Sequence, residues 1–261
     1  MEIIDIHTHI YPNDIAQKAT DTVRKYYDIR DCGMNGTADM LLSRGKAAGI
    51  SKFVVLPVAI RADHVQGIND YITGQVRQND CFVGFGTVHA EMEDIAWEAE
   101  RVMALGLRGI KMHPDMQRFD IDDERLCPMY EAIQGKLPVM LHMGDPNYDY
   151  SHPARLRRIL KLFPKLDAIA AHFGGYSMYE TACGELKDTN CVMDVSSSLM
   201  YLPEGDAERY IGIYGAERMA FGTDYPIWDP VTEVERFMRL KITQEQKEQI
   251  LCKTARRLLD I

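Results

Sequence analysis

The sequence has six cysteines but no pair at CxxC spacing, no Lys/Arg stripe interleaved with aromatics, and no basic leader at its start. It also lacks any run of the roughly 18 to 20 unbroken apolar residues that a membrane helix requires. Cys32, Cys81, Cys127, Cys183, Cys191 and Cys252 are scattered along 261 residues, a chain too large to need disulfide staples, so a cytoplasmic setting is expected. A formal net charge of -9 would repel a polyphosphate, so neither nucleic acid nor membrane is an expected partner. MEIIDIHTHI carries Asp5 and two histidines within its apolar run and is expected to be structure, not a signal peptide. GxSxG elbows, P-loops and catalytic-cysteine signatures are missing too. With 46% hydrophobic and 26% charged residues, disordered, collagen-like and coiled-coil readings fall away.

What is there is a beat. Short β-rich runs occupy 3–9, 53–59, 82–88, 107–113, 139–143, 168–172, 192–197 and 220–224, each followed by helical periodicity. From Ala59 onward the strand ends fall 25 to 30 residues apart, the period of a strand plus a helix. Ile95, Ala99, Val102 and Met103 share one helical face, and Leu156, Ile159, Leu160 and Phe163 another. Asp229 and Pro230 read as N-cap and N1, and Thr243 with Gln246 as a capping box. Strands alternating with helices imply parallel pairing, and eight such units imply a closed barrel. An open doubly wound sheet would want a Gly-rich phosphate turn after its first strand, and Thr8 to Pro12 is not one. The expected fold is therefore α/β, a single-domain TIM (β/α)8 barrel over residues 1–261. The gap from His9 to Ala59 is 50 residues, about twice the beat, so an insertion follows strand 1. It contains Tyr11, Tyr26, Tyr27, Asp31, Cys32 and Gly33, on the barrel face where active sites sit, and is expected to act as a lid or specificity element.

His7 and His9 at i and i+2 point the same way, into the barrel mouth. Burying two imidazoles beside an apolar strand is costly unless something binds their lone pairs, as a metal does. Alone, the pair is equally compatible with two hydrogen-bonded core histidines. Asp5 shares their parity and is expected to orient a histidine from behind. The same event recurs, however: apolar strands end in His142 before MetGly, in His172 before PheGlyGly and in Asp224 before TyrPro. Lys111 and His113 share parity and are expected to face inward. His64, His89 and His152 read as solvated or capping residues, and Ser196 to Ser198 as turn residues or substrate donors. Arg61, past strand 2, reads as a carboxylate fork or a surface charge, and Tyr148 or Tyr150 as a pocket residue after strand 5.

This ordered set resembles the amidohydrolase superfamily, in particular the amidohydrolase-related group that includes metal-dependent decarboxylases. The likeness runs through AspIleHisThrHis (5–9), GlyIleLysMetHisPro (109–114), the histidines ending strands 5 and 6, PheGlyThrAspTyrPro (221–226) and AlaArgArgLeuLeu (255–259), essentially the full chain. It implies a divalent ion, zinc first with manganese or iron as other choices, held by His7, His9, His142 and Asp224. His172 is then a second-metal ligand or a free acid/base. Lys111 binds a substrate carboxylate, becomes a carbamate bridging two metals, or pairs with a nearby acid. His113, Arg61 and Tyr148 are candidate substrate contacts.

The main expectation is hydrolysis of a C–N bond in a small molecule by metal-activated water, with Asp224 as base and His172 steadying the oxyanion. The alternative is a decarboxylase or hydratase acting on a small carboxylic acid at the same site. A non-catalytic metal-binding module is a third reading, and a homo-oligomer is left open.

Overall fold

Nine short strands occur among the described residues: β1 Ile4–Thr8, β2 Lys52–Val55, β3 Phe82–Gly84, β4 Gly86–Thr87, β5 Ile110–Met112, β6 Val139–Leu141, β7 Ala168–Ala170, β8 Val192–Asp194 and β9 Met219–Ala220. The computed structural model describes residues 1–30 and 33–261; Asp31 and Cys32 of the expected insertion lie outside the described residues. Every pairing is parallel, in the orders β1-β2-β3 and β4-β5-β6-β7-β8-β9. β3 and β4 are two halves of the expected third strand. Between them the ladder changes partner: Phe85 N–H donates to the Val55 carbonyl at 3.1 Å, and Gly86 N–H to Gly109 at 2.8 Å. The ring is laced shut where Ile6 N–H donates to the Phe221 carbonyl (2.9 Å) and Asp224 N–H to that of His7 (2.8 Å), beside a parallel bridge between Thr8 and Tyr225.

The core has two layers. Ile4, Ile6, Val54, Leu56, Phe85, Met140 and Ile169 fill the barrel below the site, closed off by Ala255 and Leu259 of the last helix. Phe53, Val55, Ile110, Met112, Leu141 and Ala170 face outward onto helices through Leu41, Ile72, Ile95, Val102 and Ile159. The expected helix marks hold: Asp229 caps Pro230–Met238 and Thr243 with Gln246 forms a capping box. Met103 and Phe163 are only partly buried, at the edges of their faces.

Among the described residues two helices, α1 (Ala16–Tyr26) and α2 (Ala38–Ala47), lie between β1 and β2. A β/α crossover needs one, so the other is the expected insertion. The helix after β2 is α3 (Val65–Gln78).

The strands are shorter than expected, and consistently at their C-terminal ends. His9, His113, His142, His172 and Asp224 all lie just beyond the ladder. His172, Phe173, Ser197 and Asp224 take left-handed φ values of 60°, 53°, 48° and 61°, which no strand continues through. Non-glycine residues held there carry strain that concentrates at functional sites.

Candidate active site

The chemistry begins with a slip in β1. Asp5 pairs with Phe53 and Thr8 with Val55, so three steps on β1 match two on β2. One extra residue reverses the alternation, turning His7 inward although Ile6 already points into the barrel. The Asp5 carboxylate accepts the His7 backbone N–H at 3.0 Å and is bound on the other side by Thr223 N–H and hydroxyl. Asp5 therefore positions His7 as expected from behind, but through the backbone of the bulge and not through the ring. Gly222 makes the matching space: a Cβ there would sit 2.7 Å from the His7 Cβ.

Asp194 holds the ring itself. Its carboxylate accepts from His7 Nδ1 at 2.8 Å, from His172 N–H at 3.1 Å and from the Ser196 hydroxyl. His9 Nδ1 donates to the Leu56 carbonyl at 2.7 Å. With both Nδ1 positions acting as donors, the Nε2 lone pairs of His7 and His9 face the cavity, each 3.5 Å from Asp224 Oδ1, and that of His7 accepts from Lys111 Nζ at 3.2 Å, a bond an ion would displace. Among the described residues, His7, His9 and Asp224 offer ligand atoms within 4.8 Å of one another. Neutral imidazoles oriented from behind, facing one carboxylate, are a donor set that fits a divalent cation.

Two other groups meet the same distance and suit an ion less well. In His7, His172 and Asp194 the donor atoms are already engaged: the carboxylate accepts from His7 Nδ1 and from the His172 backbone N–H, and His172 Nδ1 lies against the Ser196 carbonyl. In His113, Asp115 and His142 the two rings stack at 3.9 Å and 7°, so in-plane lone pairs cannot converge on one point.

His142 is in the cavity but outside the converging trio. One consistent assignment of protons runs from His113 Nε2 to the Tyr27 hydroxyl (2.8 Å), from that hydroxyl to His142 Nε2 (3.2 Å), from His142 Nδ1 to His172 Nε2 (3.0 Å), and from His172 Nδ1 to the Ser196 carbonyl (3.1 Å). Burial keeps these rings neutral, with His113 and His142 well below the usual histidine range and His7 lowered to about 4. Burial alone would raise the Asp224 carboxyl; His7, His9 and His172 outweigh it and hold it well below the usual range. The Asp224 carboxylate also accepts from the Ser197 hydroxyl, which in turn accepts from Trp228 Nε1 at 2.8 Å. Lys111 is buried with its Nζ 3.2 Å from His7 Nε2, and burial lowers it to about 8 against the pull of Asp194 and Asp224.

Arg61 does not join the site: it is 65% exposed and paired with Asp63 at 2.6 Å. Tyr148, 44% exposed, stacks on Tyr150 and Tyr26 outside the cavity lining. His89 and His152 cap backbone N–H groups as expected, whereas His64, though exposed, lines the cavity rim. Sequence reasoning missed Asp194 and Trp228. Asp194 carried the same signal as the histidines, a polar residue closing an apolar strand; Trp228 carried none.

The cavity above these groups measures about 580 Å³. Its inner end is His7, His9, Lys111, His113, His142, His172 and Asp224, and the remainder is largely aliphatic and aromatic.

Solved structures of the same architecture match the whole chain. An uncharacterised TIM-barrel protein from Bordetella bronchiseptica is 22% identical, with a TM-score of 0.83 over 100% of this chain and 99% of that one. 5-Carboxyvanillate decarboxylase from Sphingomonas paucimobilis is 18% identical, with a TM-score of 0.77 over 100% and 99%. A dihydroxybenzoic acid decarboxylase from a Polaromonas species, solved with bound manganese and the inhibitor 2-nitroresorcinol, is 17% identical, with a TM-score of 0.77 over 99% and 97%. At such identities the likeness carries the fold, a TIM barrel. Residues 4–261 match the Amidohydrolase (Amidohydro_2) family model, and the chain belongs to that family of enzymes.

Proposed function

We propose that this enzyme is a metal-dependent decarboxylase of a small hydroxylated aromatic or related carboxylic acid, the reading that stood second on sequence alone. The observation that carries it is the contrast inside one cavity: a buried cation, Lys111, and a cluster of neutral imidazoles lie at the inner end, beneath apolar walls. A carboxylate is drawn to Lys111 at that end while the apolar walls exclude water from the bond beside it, so the ring carbon left when carbon dioxide departs meets a placed acid and not bulk solvent. An amide would need donors and acceptors on both sides of the scissile bond, and the walls provide few. The decarboxylases among the structural neighbours support the same choice.

The ligands in this reading are His7, His9 and Asp224, with His142 as a fourth once its Nε2 leaves the Tyr27 hydroxyl. A divalent ion held by these residues would supply Lewis-acid polarisation of a substrate oxygen. Zinc and manganese both suit imidazole and carboxylate donors, and the manganese in the Polaromonas neighbour moves manganese to the front. Lys111 neutralises the substrate carboxylate. Asp224, ionised at rest, accepts the proton of the substrate's neighbouring hydroxyl. It returns that proton to the ring carbon as the bond to the carboxyl carbon breaks, the electron pair of that bond remaining on the ring and carbon dioxide departing. His172, aligned by Asp194 and Ser196, keeps a lone pair toward His142 and faces the carboxyl end. His113 is a wall contact for the ring.

The test is product analysis on metal-reconstituted protein with a panel of hydroxybenzoates and of cyclic and linear amides. Carbon dioxide release with a phenolic product supports the reading, and amine release without carbon dioxide returns the site to hydrolysis.

A further inference from the structure

We infer that the substrate is an amphiphilic monocarboxylate, whose acid head meets the barrel floor and whose apolar body, much larger than one benzene ring, lies in a lobe between α1, α3 and the loop after β2. The head chemistry rests on the decarboxylase reading; the body rests on the shape and lining of the cavity.

Size is the first argument. A volume of about 580 Å³ is in the range of pockets for drug-sized ligands, roughly 300–1,000 Å³, and several times what a single benzoate needs. Composition is the second. The lobe is walled by Ile15, Ala19 and Val23 of α1 and its approach, Val58 after β2, and Ile68 and Tyr71 of α3. Among the described lining residues there is no arginine or glutamate, and Asp224 at the floor is the only aspartate. Lys18 and His64 stand at the rim, so a second carboxylate finds a partner only at the mouth and would be stranded against the aliphatic walls between mouth and floor. The mouth is the third: Ile15 and Ile60, 47% and 56% exposed, stand on its lip, where solvated residues would serve a polar ligand better. Finally, Gly67 of α3 faces this space, and a Cβ added to it would meet nothing within 4 Å. The wall is left open where any larger residue would narrow it.

The experiment uses the metal-reconstituted enzyme and 2-hydroxybenzoates carrying linear alkyl chains of increasing length opposite the carboxyl group. In parallel, calorimetry measures binding of the matching alkylbenzoates, which lack the hydroxyl. Each methylene should raise kcat/KM, and tighten benzoate binding, roughly three- to fourfold until the lobe is filled. Gly67→Phe and Ala19→Phe should each move that plateau to shorter chains, circular dichroism identifying the variants that fold. Chain-dependent binding without carbon dioxide from any member overturns the decarboxylase reading and supports the lobe. Carbon dioxide release with chain-independent kcat/KM and binding overturns the lobe alone, as does a plateau unmoved in a folded variant. Chain-independent binding together with a dimer that Ile15→Ser and Ile60→Ser dissociate would assign the lip to a second copy and also overturn it.

Discussion

At the barrel floor His7, His9, His172 and Asp224 are each fixed by a hydrogen bond from behind, to Asp194, Leu56, Ser196 and Ser197 respectively. In the lobe Ile15, Ala19, Ile60 and Ile68 have no polar side-chain atom to fix, and they sit on two helices and the loops beside them, which partly face water. The floor is built for position, because charge that develops during reaction is stabilised best by groups that need not move. The lobe is built for area, where burial counts and orientation matters little. Changes at the floor should therefore act on rate and metal affinity, and changes in the lobe on KM.

The largest effect expected is at Asp224. Asp224→Asn keeps the size of the side chain and removes its proton chemistry, so kcat should fall roughly 10²- to 10⁴-fold with the fold intact by circular dichroism. Retained turnover would transfer the proton role to His172. Next comes Asp194→Asn, which removes the charged acceptor of His7 Nδ1. Metal affinity, measured by competition with a chelator, should drop roughly 10- to 100-fold. Ile68→Ala is the counterpart in the lobe, where the same titration should show no change while KM for an apolar substrate rises. Equal losses of metal affinity in both variants would erase the distinction between the two ends.

A third effect is on stability. Neither buried Asp115 oxygen has a partner at good hydrogen-bond geometry, and burial raises its carboxyl to about 7 against the weaker pull of Ser151 nearby. The folded form therefore holds a proton that the unfolded chain, with an ordinary carboxylate, has already lost. Stability from this group is complete below about pH 4 and disappears as pH rises through 7. Asp115→Asn cannot titrate, so it should stabilise the metal-free protein by on the order of 1–3 kcal/mol at pH 8 and by much less at pH 5. Urea melts at the two pH values decide it; equal gains at both would mean the carboxylate is satisfied in solution.

The same contrast explains what was legible in the sequence. The floor announces itself because His7, His142, His172 and Asp224 are polar residues ending apolar strands, and the regular spacing of those ends gives the barrel. Two features of the floor were hidden for a physical reason. The bulge in β1 depends on how many residues of β2 oppose it, a long-range property that strand alternation alone cannot reveal. At three strand ends the hydrophobic pattern persists into His172, Ser197 and Asp224, whose left-handed φ has already left the ladder. Trp228 reaches Asp224 only through Ser197, two contacts that exist only after folding. The lobe was visible only as surplus length between His9 and Ala59, since aliphatic residues on a helix read alike whether they face a core or a cavity. Arg61 failed for the opposite reason: a residue just past a strand end can turn either way, and Asp63 captures it at the surface.

Tyr27 is where the two ends meet, and the smallest predicted effect tests their junction. It follows α1, lines the cavity, and puts its hydroxyl between His113 and His142. If His142 is a metal ligand, that hydroxyl competes with the ion for the Nε2 lone pair. Tyr27→Phe keeps the ring in the wall and removes the competitor, so metal affinity should rise about two- to tenfold, the value of one neutral hydrogen bond. A fall in affinity would mean that the hydroxyl steadies the imidazole instead. An unchanged value would place His142 outside the coordination sphere, leaving His7, His9 and Asp224 to hold the ion and His142 to pass protons to His172.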